Sequence, residues 1–248
     1  MKKYTISISL FDRPEYTKIL FDNLNKCIGI DKYHILISCD NRPDNSSTRH
    51  GPLNGRHKIV QNIAKQFRPN QTVVFNDQIL GCNNNIIKCI NLGFSINNDF
   101  HIHLEDDTIP AKDFLCFCEW AREKYRDNVE IFTVTGYNKI NNIDNNYIDK
   151  VIKDQYFNGW GWATWFNRLS NINLADQNIR KLGWDVYLHT HVRQNRYQIK
   201  PLIPRIQNIG AKFGEHVISE KWHSENHYNE KWIETIQAYT NNFEEINT

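Results

Sequence analysis

The chain has 248 residues, 40% of them hydrophobic and 12% aromatic. That is enough apolar side chain for one large α/β domain and too much for a disordered chain. The 30 basic and 28 acidic residues leave a formal charge of +2, without the basic excess of a nucleic-acid binder, so a small ligand is expected and nucleic acid is not. No run of 18 apolar residues occurs and residues 1–10 alternate polar with apolar, so neither a transmembrane segment nor a signal peptide is expected, and the cytoplasm is the expected location.

Thr5 to Leu10 places Ile6, Ile8 and Leu10 on one face, which predicts a first strand. Asp12 and Glu15 have the spacing of a capping box, Pro14 sits in the first turn, and Tyr16, Ile19, Leu20 and Leu24 recur at helical spacing, so a helix follows directly. The unit repeats with a strand over 33–38, a helix over 57–67, a strand over 72–75 and a helix over 84–94 that turns Ile86, Ile87 and Ile90 inward. Such alternation predicts a mostly parallel sheet with helices on both faces. A strand over 100–104 follows, then a helix over 112–125 with Phe114, Phe117, Cys118, Ala121 and Tyr125 on one stripe, then a strand over 130–135. The Asn-rich stretch 138–149 reads as a loop and divides the chain into halves 1–137 and 138–248. Trp232, Ile233, Ile236 and Tyr239 predict a last helix over 229–240. The six cysteines (Cys27, Cys39, Cys82, Cys89, Cys116 and Cys118) lie in apolar segments with no CxxC pair, and are expected to be buried reduced thiols.

Ligands of such sheets bind beyond the carboxyl ends of the strands. The first strand runs into Asp12 and Arg13, the second into Asp40, Asn41 and Arg42, the third into Asn76 and Asp77, and the fourth into Glu105, Asp106 and Asp107. Adjacent carboxylates repel one another and lose solvation when buried, so a cation is their natural compensation; Mg²⁺ and Mn²⁺ accept one or two carboxylates together with diphosphate oxygens and water. Strand alternation lets only one or two of the three face a single ion unless the backbone turns. Asp107 is the expected metal ligand and Asp106 the residue that orients a ribose or a water, against the plainer reading of a solvated acidic turn.

His101 and His103 share one strand face, and without a third ligand of matching spacing they are expected to be core histidines rather than a zinc pair. In Phe157 to Trp165, Trp160, Trp162 and Trp165 offer indole faces for sugars or bases, and two glycines permit close backbone approach; at least one of these tryptophans is expected in the core. Asp185 stands between Trp184 and Val186-Tyr187, an apolar setting that suits a general base; the alternative is a helix cap. No G-x-S-x-G, G-x-G-x-x-G or P-loop occurs.

Together these residues resemble the GT-A-fold glycosyltransferases that use a nucleotide-diphosphate sugar and a divalent cation. The pattern is nearest that of the inverting N-acetylglucosaminyltransferase I type, and it extends from the first strand to about His216. The resemblance implies a Rossmann-like, mostly parallel α/β sheet, with residues 1–137 binding the nucleotide sugar and residues 138–248 supplying the acceptor site and base. It implies that Arg13 in Leu10-Phe-Asp-Arg-Pro-Glu15 contacts the nucleotide, that Asp40 in Ile37-Ser-Cys-Asp40 reads the base, that Asp106 contacts the nucleotide sugar, and that Asp107 binds Mn²⁺ or Mg²⁺. Asp185 of Trp184-Asp185 would be the catalytic base, moving a hexosyl or N-acetylhexosaminyl group onto a hydroxyl of a glycan or other acceptor. Ile203-Pro-Arg205 would lead into a loop, Lys212 to His216, that closes over the diphosphate, with His216 among its contacts. Two positions depart from the pattern: a family histidine falls near Asn83, and a serine of the closing loop falls near Glu215, the second candidate for the base. Two rival readings are a non-catalytic carbohydrate-binding module built on Trp160, Trp162 and Trp165, and a metal-dependent nucleotidyl or phosphoryl transferase.

Overall fold

The computed structural model describes residues 4–42, 47–48, 51–52, 54–97, 99–139, 143–169, 177–212, 219–228, 232 and 239–246. The first half alternates as its sequence predicts: β1 (Tyr4–Leu10), α1 (Pro14–Lys26), β2 (Tyr33–Cys39), the short pair β3 (Ser47–Thr48) and β4 (Gly51–Pro52), α2 (Arg56–Gln66), β5 (Gln71–Phe75), α3 (Gly81–Ile96) and β6 (Phe100–Glu105). It continues through β7 (Thr108–Pro110), α4 (Phe114–Tyr125), β8 (Ile131–Thr135), β9 (Lys150–Asp154) and β10 (Trp162–Trp165). The last third holds short elements: α5 (Phe166–Leu169), α6 (Gln177–Leu182), α7 (Trp184–Tyr187), β11 (Tyr197–Pro201), β12 (Ile206–Asn208), α8 (Glu220–His227) and β13 (Glu244–Glu245).

Nine strands form one sheet in the order β13-β9-β11-β8-β10-β6-β1-β2-β5. The block β6-β1-β2-β5 is parallel, and β10 runs antiparallel between β6 and β8. Both faces are covered, which is why β1, β2 and β6 are buried almost throughout. On one face Ile6, Ile8, Ile35, Ile37 and Ile102 pack with Leu20 and Leu24 of α1, Val60 of α2 and Phe117 of α4. On the other face α3 presents Ile86, Ile87, Ile90 and Phe94 to Phe132, Phe157, Trp162 and Trp184. Among the described residues no helix is long and apolar enough to cross a membrane.

Two expectations change, and a third is not tested. The capping box does not form: Pro14, which has no N–H to satisfy, takes the first helical position, so Arg13 rather than Asp12 stands at the N-cap, and no side chain caps the helix. Glu15 instead accepts from Arg56 at 2.6 Å. Cys27, Cys39, Cys89 and Cys118 are buried free thiols as expected, but Cys116 is half-buried and Cys82, in the first turn of α3, is exposed. The helix expected over 229–240 lies largely outside the described residues, and the helix described in this region is α8, capped by Ser219 Oγ, which accepts from Trp222 N at 3.0 Å.

Arg205 is a structural residue. Its guanidinium and Asp113 form a fully buried pair, with Nε donating to Oδ1 at 2.9 Å and to Oδ2 at 3.0 Å, and Nη1 donating to the Ile203 carbonyl at 2.6 Å. Asp113 also accepts from Thr240 N at 3.2 Å, which ties the C-terminal segment to the body.

Candidate active site

From β1 the chain steps through β2 to β5 and then returns to the other side of β1 as β6. The reversal leaves a crevice beyond the carboxyl ends of β1 and β6, the place where open α/β sheets bind ligands. Register sets Ser9 opposite Glu105, so Arg13 and the Asp106-Asp107 pair leave neighbouring strands side by side. The backbone turns at residues 106–107 between β6 and β7, and Thr108 Oγ1 fastens the turn by accepting from Glu105 N at 2.9 Å and donating to Glu105 O at 2.7 Å. That turn breaks the strand alternation and brings two adjacent carboxylates onto one cation.

The cation is Arg13. Its Nε donates to Asp106 Oδ2 at 3.0 Å, Nη2 donates to Asp106 Oδ1, and Nη1 donates to Asp107 Oδ2 at 2.8 Å. Burial works against the charge on Arg13, but Asp106 and Asp107 outweigh it and hold the guanidinium protonated well above its ordinary range. Burial pushes Asp106 up to about 6, against the pull of Arg13 and with the push of Asp107. Burial, and then the charge of Asp107, raises Glu105 well above the usual carboxylate range, and Asp185 adds to the repulsion. Asp185 is thus near enough to Glu105 for its charge to be felt there.

Asp107 has a second neighbour, His223 of α8, which the sequence reading passed over. His223 is buried and its Nε2 donates to Asn208 Oδ1 at 2.9 Å. Burial lowers its pKa, and the Asp107 carboxylate works in the opposite direction. Gly210 closes the group: a Cβ there would lie 2.5 Å from Asp107 Oδ2 and 3.0 Å from Asn208 Oδ1. The available signal was the His223 and His227 spacing of four on a helix behind a Ser cap. His216 and Glu215 lie outside the described residues.

Asp40, at the end of β2, closes the loop into α3. Its Oδ1 accepts from Asn41 N and Leu80 N, and its Oδ2 from Gly81 N, each at 2.9 Å. Beside it a cleft of about 510 Å³ opens over the ends of β2 and β5, lined by Asn41, Arg42, His57, Lys58, Asp77, Gln78 and Ile79.

The tryptophans separate by role. Trp162 and Trp165 are buried in the sheet, so a sugar-stacking platform made of all three does not exist. Trp160 is half-buried and its ring lies 4.9 Å from that of His227. Trp184 stacks on Trp162 at 5.8 Å above Gly159, where an added Cβ would meet the indole at 2.4 Å. The aromatic setting belongs to Trp184 and Tyr187, while Asp185 is exposed, a correction to its expected apolar surroundings. It is not the helix cap either, because Gly183 holds that position.

His101 and His103 are core residues. Both contact Ser7 Oγ at 2.8 Å, and burial depresses His101 to about 3 and lowers His103. Gly93 is required beside them, since a Cβ would fall 2.0 Å from the His101 ring.

Among the described residues no three His, Cys, Asp or Glu side chains are grouped to hold a metal ion. A cation at this crevice would therefore take Asp107 and complete its shell from a ligand's diphosphate and water, the mode in which Mg²⁺ is commonly bound. The donors fit such an ion, since they are hard oxygens, one of which, Asp107 Oδ2, Arg13 also holds.

The mixed sheet with its crevice at the β1/β6 reversal is the GT-A, Rossmann-like fold. No protein-family model and no curated protein matches the chain. Among solved structures, the mannosyltransferase PcManGT from Pyrobaculum calidifontis, in complex with GDP-Man and Mn²⁺, matches with a TM-score of 0.50 at 13% identity over 83% of this chain and 58% of that one. TarS from S. aureus matches with a TM-score of 0.50 at 11% identity over 79% of this chain and 36% of that one. Its 1–349 portion in complex with UDP matches with a TM-score of 0.50 at 10% identity over 80% of this chain and 60% of that one. The chain thus spans less than two thirds of each, and the likeness is one of fold.

Proposed function

We propose that the chain is a metal-dependent inverting glycosyltransferase that moves a hexosyl or N-acetylhexosaminyl group from a nucleotide-diphosphate sugar to a hydroxyl acceptor, nearest in pattern to the N-acetylglucosaminyltransferase I type. The observation that carries this reading is the convergence of Arg13, Asp106 and Asp107 at the sheet's reversal point. The neighbours of like fold supply support, since PcManGT was solved with GDP-Man and Mn²⁺ and TarS with UDP.

In this reading Asp107, with His223 beside it, holds Mn²⁺ or Mg²⁺. When bound, the ion neutralises negative charge on the diphosphate leaving group. Asp106 and Arg13 contact the donor, and Asp40, whose carboxylate holds the head of α3, sets the wall beside which the base lies, in the cleft over β2 and β5. His216 is proposed as a diphosphate contact on the sequence resemblance. Asp185, exposed where an acceptor can approach, takes the proton of the attacking hydroxyl, and attack on the face opposite the leaving group inverts the anomeric centre. Residues 1–137 carry the donor and residues 138–248 the acceptor and base.

Titration calorimetry with UDP and GDP, in Mn²⁺ and in EDTA, tests the reading. Wild-type chain binds at least one of them in Mn²⁺ only, and Asp107→Ala binds neither. Binding that is indifferent to EDTA and to Asp107→Ala refutes the metal assignment.

A further inference from the structure

The starts of α3 and α7 meet. Asp40 accepts from Leu80 N and Gly81 N at the head of α3. From the first turn of α3, Asn83 Oδ1 accepts from Trp184 N at 3.2 Å. Trp184 is the first residue of α7, where a backbone N–H has no carbonyl within its own helix, and Gly183 ahead of it brings no side-chain cap. Asn83 therefore does from across the domain what an N-cap does locally. The indole of Trp184 is held on Trp162 and above Gly159. Asp185 comes next, its carboxylate lying back over Gly183, where an added Cβ would stand 3.1 Å from Oδ1.

We propose that Asn83 is a positioning residue that sets the direction of Asp185 by holding the Trp184 amide, and so joins the donor half to the base. The proposal rests on the reading of Asp185 as the general base. An exposed carboxylate on a four-residue helix takes its aim from the backbone that carries it, and misaligned reacting groups lose rate steeply.

The test compares Asn83→Leu, of similar size without the oxygen, with Asn83→Asp, which keeps it. Release of UDP from UDP-GlcNAc and of GDP from GDP-mannose is followed in Mn²⁺, alongside hydrogen exchange of the segment 183–192. Asn83→Leu is expected to lower kcat about 10-fold with donor KM within about twofold, and to speed exchange of the segment. Asn83→Asp restores most of both. In an Asp185→Asn background, Asn83→Leu changes the residual rate by less than about twofold, because the group it aims is gone. Wild-type kcat or unchanged exchange in Asn83→Leu overturns the inference, as does an equal loss in the Asp185→Asn background, which marks a merely structural role. If Asp185→Asn turns over like wild type, the base reading itself fails and takes this inference with it; a crippled Asp185→Asn beside an unimpaired Asn83→Leu removes the positioning role alone. Should Asn83→Leu not fold, Asn83→Ala carries the same expectations.

Discussion

Arg13→Gln is the most informative single change outside the reacting groups. The Arg13 side chain is 18% exposed and its partners Asp106 and Asp107 are 3% and 12% exposed, so all three groups sit largely out of water. Glutamine keeps a polar chain but removes the charge and the fork that serves both carboxylates. Removing one partner of a buried pair costs about 3–5 kcal/mol, because the remaining charge is left uncompensated. For a chain of this length that is a fall in Tm of roughly 6–20 °C. Urea unfolding at pH 7.5 in EDTA measures it directly. Mn²⁺ without nucleotide should recover part of the loss, since an ion that binds only the folded chain stabilises it and the acid pair in the variant is free to take one. The same titration should show weaker Mn²⁺ binding to wild type, whose Arg13 holds those oxygens. A variant within about 1 kcal/mol of wild type in EDTA, or one that Mn²⁺ does not stabilise, refutes the view that Arg13 is the compensating cation of this crevice.

Acid sensitivity should fall in His101→Asn. His101 stays neutral in the fold down to about 3 against an ordinary 6.5, so the unfolded chain binds the extra proton and stability drops as pH falls through that window, by up to about 1.4 kcal/mol per pH unit. Urea unfolding at pH 7 and pH 5 should show a loss about 2 kcal/mol smaller in the variant, and equal losses would contradict the buried neutral assignment. Gly210→Ala should press its methyl group against the Asp107 carboxylate, costing about 1–3 kcal/mol of stability and weakening Mn²⁺-dependent nucleotide binding about 10-fold. Calorimetry showing wild-type affinity would mean that Asp107 is not needed where it stands.

The donor half was legible because each of its elements carries its own local signal. Ile6, Ile8 and Leu10 alternate, Ile86, Ile87 and Ile90 recur at helical spacing, and the predicted limits of β1, β2, β5 and β6 lie within a residue of those observed. Acidic and basic residues at successive strand ends pointed to the crevice for the same reason. What the sequence hid were pairings between distant segments. That Arg13 would neutralise Asp106 and Asp107 depends on β1 lying beside β6, and nothing local announces this. Arg205 was legible only as part of the stretch leading into the closing loop, and nothing in sequence announced its buried partner Asp113, 92 positions earlier. His223 comes near Asp107 through Asn208, which β12 carries alongside Thr108 of β7. Asp185 seemed buried because three aromatic and apolar neighbours adjoin it in sequence, yet a helix turns Trp184 and Tyr187 inward and leaves the carboxylate outside.

Whether this crevice performs sugar transfer is tested most directly by incubating the wild-type chain with UDP-GlcNAc and with GDP-mannose in Mn²⁺ and measuring the nucleoside diphosphate released, with EDTA as the control. Release of UDP or GDP that stops in EDTA is the result predicted. Intact donors in Mn²⁺, or hydrolysis that liberates UMP or GMP instead, would contradict transfer at the sugar–diphosphate bond.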